Sequence, residues 1–140
     1  MNDIRLADFR AESLQFDMNH HFQPKEDENL QLSIKLDQRV RMSSTPKEPV
    51  FLNIRVTLFD NAEVNNYPFE IIADVTGVFF IEAEGTDREA VLRDNGMTML
   101  LPYVRAMISQ LVSLANLPTP VILPPLDPSQ MQPIDPNQAQ

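Results

Sequence analysis

Four segments of the chain alternate apolar and polar residues with a period of two, the pattern typical of β-strands. They lie at about 4–18, 30–42, 50–59 and 68–82. In the second segment only Gln38 interrupts the apolar series on the even positions. The third and fourth carry apolar residues on both parities, so these two strands are expected to present apolar side chains on both faces of a sheet.

The first segment changes parity along its length. Its apolar residues occupy odd positions from Ala7 to Ala11 and even positions from Leu14 to Met18. Because a strand keeps one parity on each face, an extra residue must enter between these two stretches. The pattern therefore predicts a β-bulge at about Glu12.

The connections between the predicted strands differ in length. Residues 43–49 and 60–66 are short enough to close hairpins. Residues 20–29 are more than a tight hairpin needs, which predicts a crossover connection between the first two strands.

A short helix is predicted at 86–94. Thr86 occupies an N-cap position and Glu89, three residues later, completes a capping-box pattern. The Asn95-Gly96 pair is expected to end this helix, since glycine is the residue most often found just beyond a helix C-terminus.

The segment 95–115 has a helical period and apolar residues on more than one face. Pro102 is best tolerated in a first turn, so the regular helix is expected to begin close to Leu101. One apolar stripe comprises Leu101, Val104, Ile108, Leu111 and Ala115, and a second, at sevenfold spacing, comprises Leu100, Met107 and Leu114. A sheet covers only one face of a helix, so the second stripe predicts another partner, most simply a second copy of the chain.

Length and composition indicate one domain. A chain of 140 residues with 43% apolar residues can bury a substantial core. Its last stretch is rich in proline and glutamine, so the folded domain is predicted at 1–126 and a disordered tail at 127–140.

The charge and the lack of cysteine exclude several classes of protein. A net charge of −9 repels nucleic-acid backbones, and the absence of cysteine excludes disulfides and thiol chemistry. Charged residues spread through the first twenty positions are unlike a signal peptide, and no uninterrupted apolar run approaches membrane-spanning length. A soluble, cytoplasmic protein without nucleic-acid binding or membrane insertion is expected.

Residues suited to catalysis or metal binding are sparse. His20 and His21 precede three acidic residues at 26–28, but adjacent loop histidines diverge and no third firm ligand accompanies them. Ser43 and Ser44 have no neighbouring base, and the carboxylates in 87–94 fit a solvated helix face. No enzymatic activity, metal or cofactor is therefore expected. The seven methionines fit either an adaptable binding surface or ordinary core packing.

Several segments together resemble the SecB family of protein-export chaperones, in the same order and with compatible spacing over about residues 6–126. The most specific is the helix start Leu100-Leu-Pro-Tyr-Val-Arg105. The others are Ser13-Leu-Gln-Phe-Asp17, His21-Phe-Gln23, Gly77-Val-Phe-Phe-Ile81, Ile108-Ser-Gln-Leu-Val112, Leu117-Pro118 and Leu123-Pro-Pro125.

This resemblance implies an α+β fold, with a four-stranded antiparallel sheet, a short helix and one long helix packed on it. It also implies a homotetramer, built as a dimer of dimers, that holds unfolded or precursor polypeptides in apolar surface grooves without ATP. The client-binding residues it suggests are Phe22, Leu30, Leu32, Met107, Leu111 and Leu114. Asp17 and Glu70 would be the counterparts of the acidic residues that contact SecA, the export motor.

The sequence also departs from the SecB pattern. It has no tryptophan, carries Lys25-Glu-Asp-Glu28 where the family's crossover loop is aromatic, and ends in prolines and glutamines rather than a further helix and an acidic tail. A dedicated chaperone or adaptor for one specific partner, such as an antitoxin, without delivery to SecA, is the alternative.

Overall fold

All four predicted strands form, and they make one antiparallel sheet in the order β1-β4-β3-β2. The computed structural model describes residues 4–23, 33–45, 47–82 and 87–116. The elements are β1 (Ile4–Met18), β2 (Ile34–Arg41), β3 (Val50–Leu58), α1 (Ala62–Asn65), β4 (Phe69–Ile81), α2 (Arg88–Val91), a π-helical segment (Leu92–Gly96) and α3 (Met97–Leu114).

The strand order confirms the predicted crossover. β1 and β2 lie at opposite edges of the sheet, so the chain passes from one edge to the other between them. β3 and β4 are the two central strands. The beginning of the predicted second strand, including Leu30 and Leu32, lies outside the described residues.

The strand β1 contains the predicted bulge and a second one. Its register against β4 shifts between Ala11 and Ser13, as predicted, and also between Leu6 and Asp8. The parity argument missed the second shift because only two apolar residues precede it. At the predicted bulge, between Ala11 and Ser13, Arg10 Nε donates to Glu12 Oε1 at 2.8 Å. This hydrogen bond holds the pKa of Glu12 below its usual value.

The hydrophobic core lies between the sheet and the helices. The even-numbered residues of β3 are all buried, as are Ile71, Ala73 and Val75 of β4, with which three of them pair. From the helical side the main buried residues are Leu92, Met97, Leu100, Leu101, Val104 and Ile108. We call this side of the sheet the helix face and the opposite side the open face.

Two glycines allow close packing of the helix on the sheet. A Cβ on Gly77 would lie 2.8 Å from Phe79 Cε2 and 3.1 Å from Leu100 Cδ2. A Cβ on Gly96 would lie 3.2 Å from Leu52 Cδ2. At Gly77 a Cβ would force its neighbours to shift, whereas at Gly96 the neighbouring side chains would need to give by only a few tenths of an ångström.

The helical region is continuous, which corrects the predicted break. The Asn95-Gly96 pair does not end a helix: α2, the π-helical segment and α3 form one helix, Arg88–Leu114, hereafter the long helix. Gly96 has a right-handed helical conformation, with φ −62° and ψ −41°, because it is the contact point with β3 rather than a C-terminal cap.

The start of this helix also differs from expectation. The regular helix begins at Arg88 and not near Leu101, so Pro102 lies in its interior, where it cannot donate a hydrogen bond to the preceding turn. Thr86 lies outside the described residues, and the residue preceding the helix is Asp87, whose side chain makes no capping hydrogen bond.

The long helix is long and apolar enough to cross a membrane, judged by length and composition alone. No single apolar run in the sequence had indicated this, because polar and charged residues such as Arg93 and Arg105 interrupt the apolar ones. Its buried residues pack on the sheet, as in the core helix of a globular domain. The length and composition of one such helix are weak evidence for a membrane span.

Candidate functional site

A row of apolar side chains runs along one side of the long helix and is most exposed at its two ends. Tyr103, Met107, Leu111 and Leu114 are spaced four, four and three residues apart, which places them on one helix face. Met107 and Leu111 are half-buried against the core, whereas Tyr103 is 45% exposed and Leu114 is 76% exposed. This row is distinct from the fully buried stripe through Leu101, Val104 and Ile108.

The neighbouring strand β1 also exposes apolar side chains on the helix face. Its register places Leu14 opposite Ala73 and Met18 opposite Phe69, so both side chains point to the same side as the core. They are nevertheless 41% and 45% exposed. Large apolar side chains left uncovered on a core-facing strand are unusual and indicate a contact surface.

One aromatic contact joins the helix row to the strand. The rings of Phe9 in β1 and Tyr103 in the helix lie with their centroids 4.4 Å apart. Phe9, Leu14 and Met18 share one face of β1. We call the apolar residues of this region the strand–helix surface; they are the exposed Leu14 and Met18 of β1, the exposed Tyr103 and Leu114 of the long helix, and the half-buried Met107 and Leu111 between them.

The backbone of β1 adds a second property to this region. β1 is 15 residues long and forms an edge of the sheet, and within the described part of the chain only β4 pairs with it. Edge strands present unpaired backbone N–H and C=O groups that another polypeptide can bind. Exposed apolar side chains next to an open strand edge can bind an extended polypeptide through both its side chains and its backbone.

Phe22, the first suggested client-binding residue, follows β1 in a segment fixed by asparagines. Asn19 is buried, and its Nδ2 donates to the carbonyl oxygens of Ala62 and Tyr67 at 3.2 and 2.9 Å. Gln23 and Asn66 exchange two hydrogen bonds of 3.0 and 2.9 Å. The half-buried Phe22 is therefore held in a segment that is fixed to the connection after β3.

The suggested client-binding residues thus fall into separate places. Met107, Leu111 and Leu114 share one row of the helix, Phe22 lies at the end of β1, and Leu30 and Leu32 are outside the described residues. Sequence reasoning did not select Leu14, Met18 or Tyr103 as binding residues. Periodicity could not single them out, since their patterns are the same as those of buried core residues.

Asp17 and Glu70, the suggested SecA-contact residues, are brought together by the fold. They are direct cross-strand partners in β1 and β4 and lie on the open face. With Glu63 they line a hollow of about 340 Å³ next to α1. Glu70 Oε2 accepts the backbone N–H of Asn61 at 2.6 Å, whereas Asp17 is exposed. Like charges at this spacing repel each other, so this acidic end is suited to a cationic partner.

The described residues show little that suggests catalysis. Within them, no three His, Asp or Glu side chains come together as a metal site would require. Ser43 Oγ donates to Glu48 Oε2 at 2.6 Å on an exposed loop, and His20 and His21 are exposed. The notable features of this site are contact surfaces.

Comparisons with known proteins agree with this description. The sequence matches no protein-family model. It is similar to an uncharacterized protein of Methanocaldococcus jannaschii, at 27% identity over 129 residues, which cover 91% of this chain and 81% of that protein. Its structure is similar to that of the SecB-like chaperone Rv1957 of Mycobacterium tuberculosis, solved in complex with a ChAD peptide from the Rv1956 HigA1 antitoxin.

The similarity to this chaperone extends over most of both chains. The TM-score is 0.66 at 20% sequence identity, and the match covers 89% of this chain and 88% of the chaperone. At that identity the comparison concerns the fold. The four-stranded antiparallel sheet with its long helix is therefore a SecB-like fold, as the sequence resemblance predicted.

Proposed function

We propose that this protein is a non-enzymatic, ATP-independent chaperone that binds unfolded or extended segments of other polypeptides on its strand–helix surface. The observation that carries the proposal is the exposure of Leu14, Met18, Tyr103 and Leu114 beside the open edge of β1. The SecB-like fold, found also in a chaperone solved with a bound peptide, supports it.

The physical chemistry of this surface is suited to unfolded clients. Burying a large apolar side chain contributes about 1.5–3 kcal/mol, so a few such contacts offset the ordering of a flexible client. Met18 and Met107 can adapt to different side chains because methionine is unbranched and polarizable. The net charge of −9 keeps the chaperone soluble and favours clients with basic residues.

We propose further that the protein acts in the cytoplasm as a homo-oligomer, with a tetramer as the expected state. The exposed apolar residues of β1 and the helix row from Tyr103 to Leu114 provide the surface for contacts between copies, whereas Leu100 of the second predicted stripe is buried in the core. The strand–helix surface is then divided between subunit contact and client binding, and the two roles are separable by experiment.

The range of clients separates two forms of the proposal. A general export chaperone would deliver precursors to SecA through Asp17 and Glu70. A dedicated chaperone would serve one partner, such as an antitoxin. The antitoxin peptide bound to the structural neighbour favours the dedicated form, as do the differences from the SecB pattern in the tail.

The central test is suppression of aggregation. A chemically unfolded client is diluted into buffer with and without the protein, and light scattering is followed. We expect the wild type to suppress scattering and Leu114→Asp to lose most of that effect. Val64→Asp is the matched control, because Val64 is also 76% exposed but lies on α1. Equal scattering with and without the wild-type protein would refute the general chaperone.

Selectivity and assembly need separate measurements. A peptide array that yields many apolar-basic segments supports the general form, and a single consensus supports the dedicated form. Sedimentation of Leu14→Asp and Leu114→Asp reports on subunit contact: an unchanged mass with lost client binding assigns the residue to the client site. For SecA delivery, Asp17→Lys is expected to abolish SecA binding while client binding is retained.

A further inference from the structure

The open face carries an apolar patch at the end of the sheet opposite the acidic residues. Phe51 of β3 and Val78 of β4 are cross-strand partners, and Phe80 follows two residues along β4 on the same face. All three are only half-buried. Arg5 pairs with Phe80 from the β1 side, and Arg41 pairs with Phe51 from the β2 side. These five residues are called the arginine-flanked patch.

Both arginines are available to a ligand. The guanidinium carbon of Arg5 lies 5.0 Å from the centroid of the Phe80 ring, and its side chain is exposed. Such stacking orients the cation and leaves its N–H groups free to bind carboxylates. Arg41 is exposed and makes no ion pair within the described part of the chain. It also lines a hollow of about 550 Å³ that adjoins the patch at Phe51.

Two carboxylates near the patch already accept hydrogen bonds from other groups. Asp8, opposite Val78, accepts the backbone N–H of Phe9 at 2.8 Å, and Glu48 accepts the hydroxyl of Ser43 at 2.6 Å. Neither forms an ion pair with Arg5 or Arg41 in the described structure. Arg5 and Arg41 thus have no ion-pair partner among the described residues, in a chain whose net charge is −9.

Opposite charges predominate at the two ends of the open face. At one end Asp17 and Glu70 are paired and form the acidic end, where Lys35 of β2 is in an ion pair with Asp60; at the other end Arg5 and Arg41 flank the apolar side chains, with Asp8 of β1 beside them. One face thus offers two contact regions with opposite preferences for charge. A partner suited to the acidic end would be repelled by the other, so the arginine-flanked patch requires a ligand of its own.

We propose that the arginine-flanked patch docks a segment of a partner protein that carries carboxylates on either side of apolar side chains, in the form of an amphipathic helix. Arg5 and Arg41 are separated by three strand spacings and about two residues along the strands, which is about 16 Å. Eleven residues of an α-helix rise about 16 Å and return to about the same helix face. A helix with acidic residues at i and i+11 and apolar ones at i+4 and i+7 matches the patch.

The test uses a pair of synthetic helical peptides and the full-length protein. The first peptide has Glu at i and i+11 and Leu at i+4 and i+7, with alanine and glutamine elsewhere; the second has Lys in place of both Glu residues. Fluorescence anisotropy measures binding at low and high salt. We expect the wild type to bind the Glu peptide at least tenfold more tightly than the Lys peptide, with a loss of affinity at high salt.

Variants assign the binding to the patch. Arg41→Glu is expected to lower the affinity for the Glu peptide at least tenfold and to reverse the preference between the two peptides. Val78→Thr, which keeps the side-chain shape, should lower the affinity for the Glu peptide. It should not alter the preference for the Glu peptide over the Lys peptide. Arg93→Glu is the matched control for charge, since Arg93 lies on the long helix at 3.8 Å from Glu89. It should change binding less than twofold.

Several results would overturn the proposal. One is equal binding of both peptides, or of neither, by the wild type. Another is loss of Glu-peptide binding in Leu114→Asp, which would place the peptide on the strand–helix surface instead. A lower sedimentation mass for Arg41→Glu would identify the patch as a contact between copies. A photo-cross-linker in place of Val78 that reacts with residues 117–140 without peptide would show that the chain's own tail occupies it.

Discussion

Strands β3 and β1 have similar patterns and very different environments. Both direct a regular series of apolar residues to the helix face. In β3 every such residue, from Val50 to Leu58, is buried. In β1, Leu14 and Met18 remain 41% and 45% exposed. The difference follows from position, because β3 is a central strand and β1 is an edge strand. Apolar periodicity thus determines the direction of a side chain but not whether another element packs over it.

The largest expected effect lies in the covered region. Leu52→Ala in β3 should lower the free energy of unfolding by about 2–5 kcal/mol, because it removes buried contacts and leaves a cavity below Gly96. Urea denaturation at fixed protein concentration measures this value. A loss below about 1 kcal/mol would contradict the close packing between β3 and the helix.

A smaller loss is expected where the helix approaches β4. Gly77→Ala places a Cβ 3.1 Å from Leu100 and 2.8 Å from Phe79, so side chains must shift, at a cost of about 1–3 kcal/mol. Gly96→Ala is the comparison, since its Cβ would meet side-chain atoms at 3.2 Å and alanine favours a helix by about 1 kcal/mol. In thermal or urea unfolding, the stability of Gly96→Ala should therefore be closer to that of the wild type than the stability of Gly77→Ala is.

Replacing an exposed apolar residue of β1 by alanine should lower the free energy of unfolding only slightly. Leu14→Ala is expected to change the free energy of unfolding of a subunit by about 1 kcal/mol or less, because much of the side chain is already in water. The effect should appear instead in sedimentation or in client binding. A stability loss equal to that of Leu52→Ala would mean that Leu14 is covered in solution, and the contrast between the strands would fail.

The smallest effect concerns the bulge that separates the two halves of β1. Arg10→Ala should raise the pKa of Glu12 toward its usual value, because the hydrogen bond from Arg10 is lost. A lowered folded-state pKa stabilises the fold above the unfolded-state pKa, and the contribution disappears as pH falls through the folded-state pKa. Both groups are exposed, so unfolding should hardly change. NMR titration of the Glu12 carboxyl carbon provides the measurement.

Much of the fold was predictable because it depends on local periodicity. The four strands, the bulge at Glu12 and the crossover all agree with the structure. The continuity of the long helix was not predictable, because glycine after asparagine usually ends a helix. In the structure Gly96 lies inside the continuous helix and packs so closely on the sheet that a Cβ there would be 3.2 Å from Leu52 Cδ2, a tertiary arrangement that no local rule includes.

The candidate site was less accessible to sequence reasoning. The SecB resemblance indicated Met107, Leu111 and Leu114, which the structure places in one row of the helix. It also indicated Asp17 and Glu70, which are 53 positions apart in the sequence and are direct cross-strand neighbours in the structure. Their proximity depends on the register between β1 and β4, and hence on both bulges. Their roles in binding remain predictions.

By itself, the sequence determined where the strands lie, which face most of their apolar side chains occupy and the acidic character of the surface, because these follow from alternation and composition. Only the tertiary structure decided which apolar residues stay uncovered. That depends on strand order, on where the helix approaches the sheet and on which strand forms the edge. For the same reason, the strand–helix surface and the arginine-flanked patch emerge only when residues distant in sequence are brought into register.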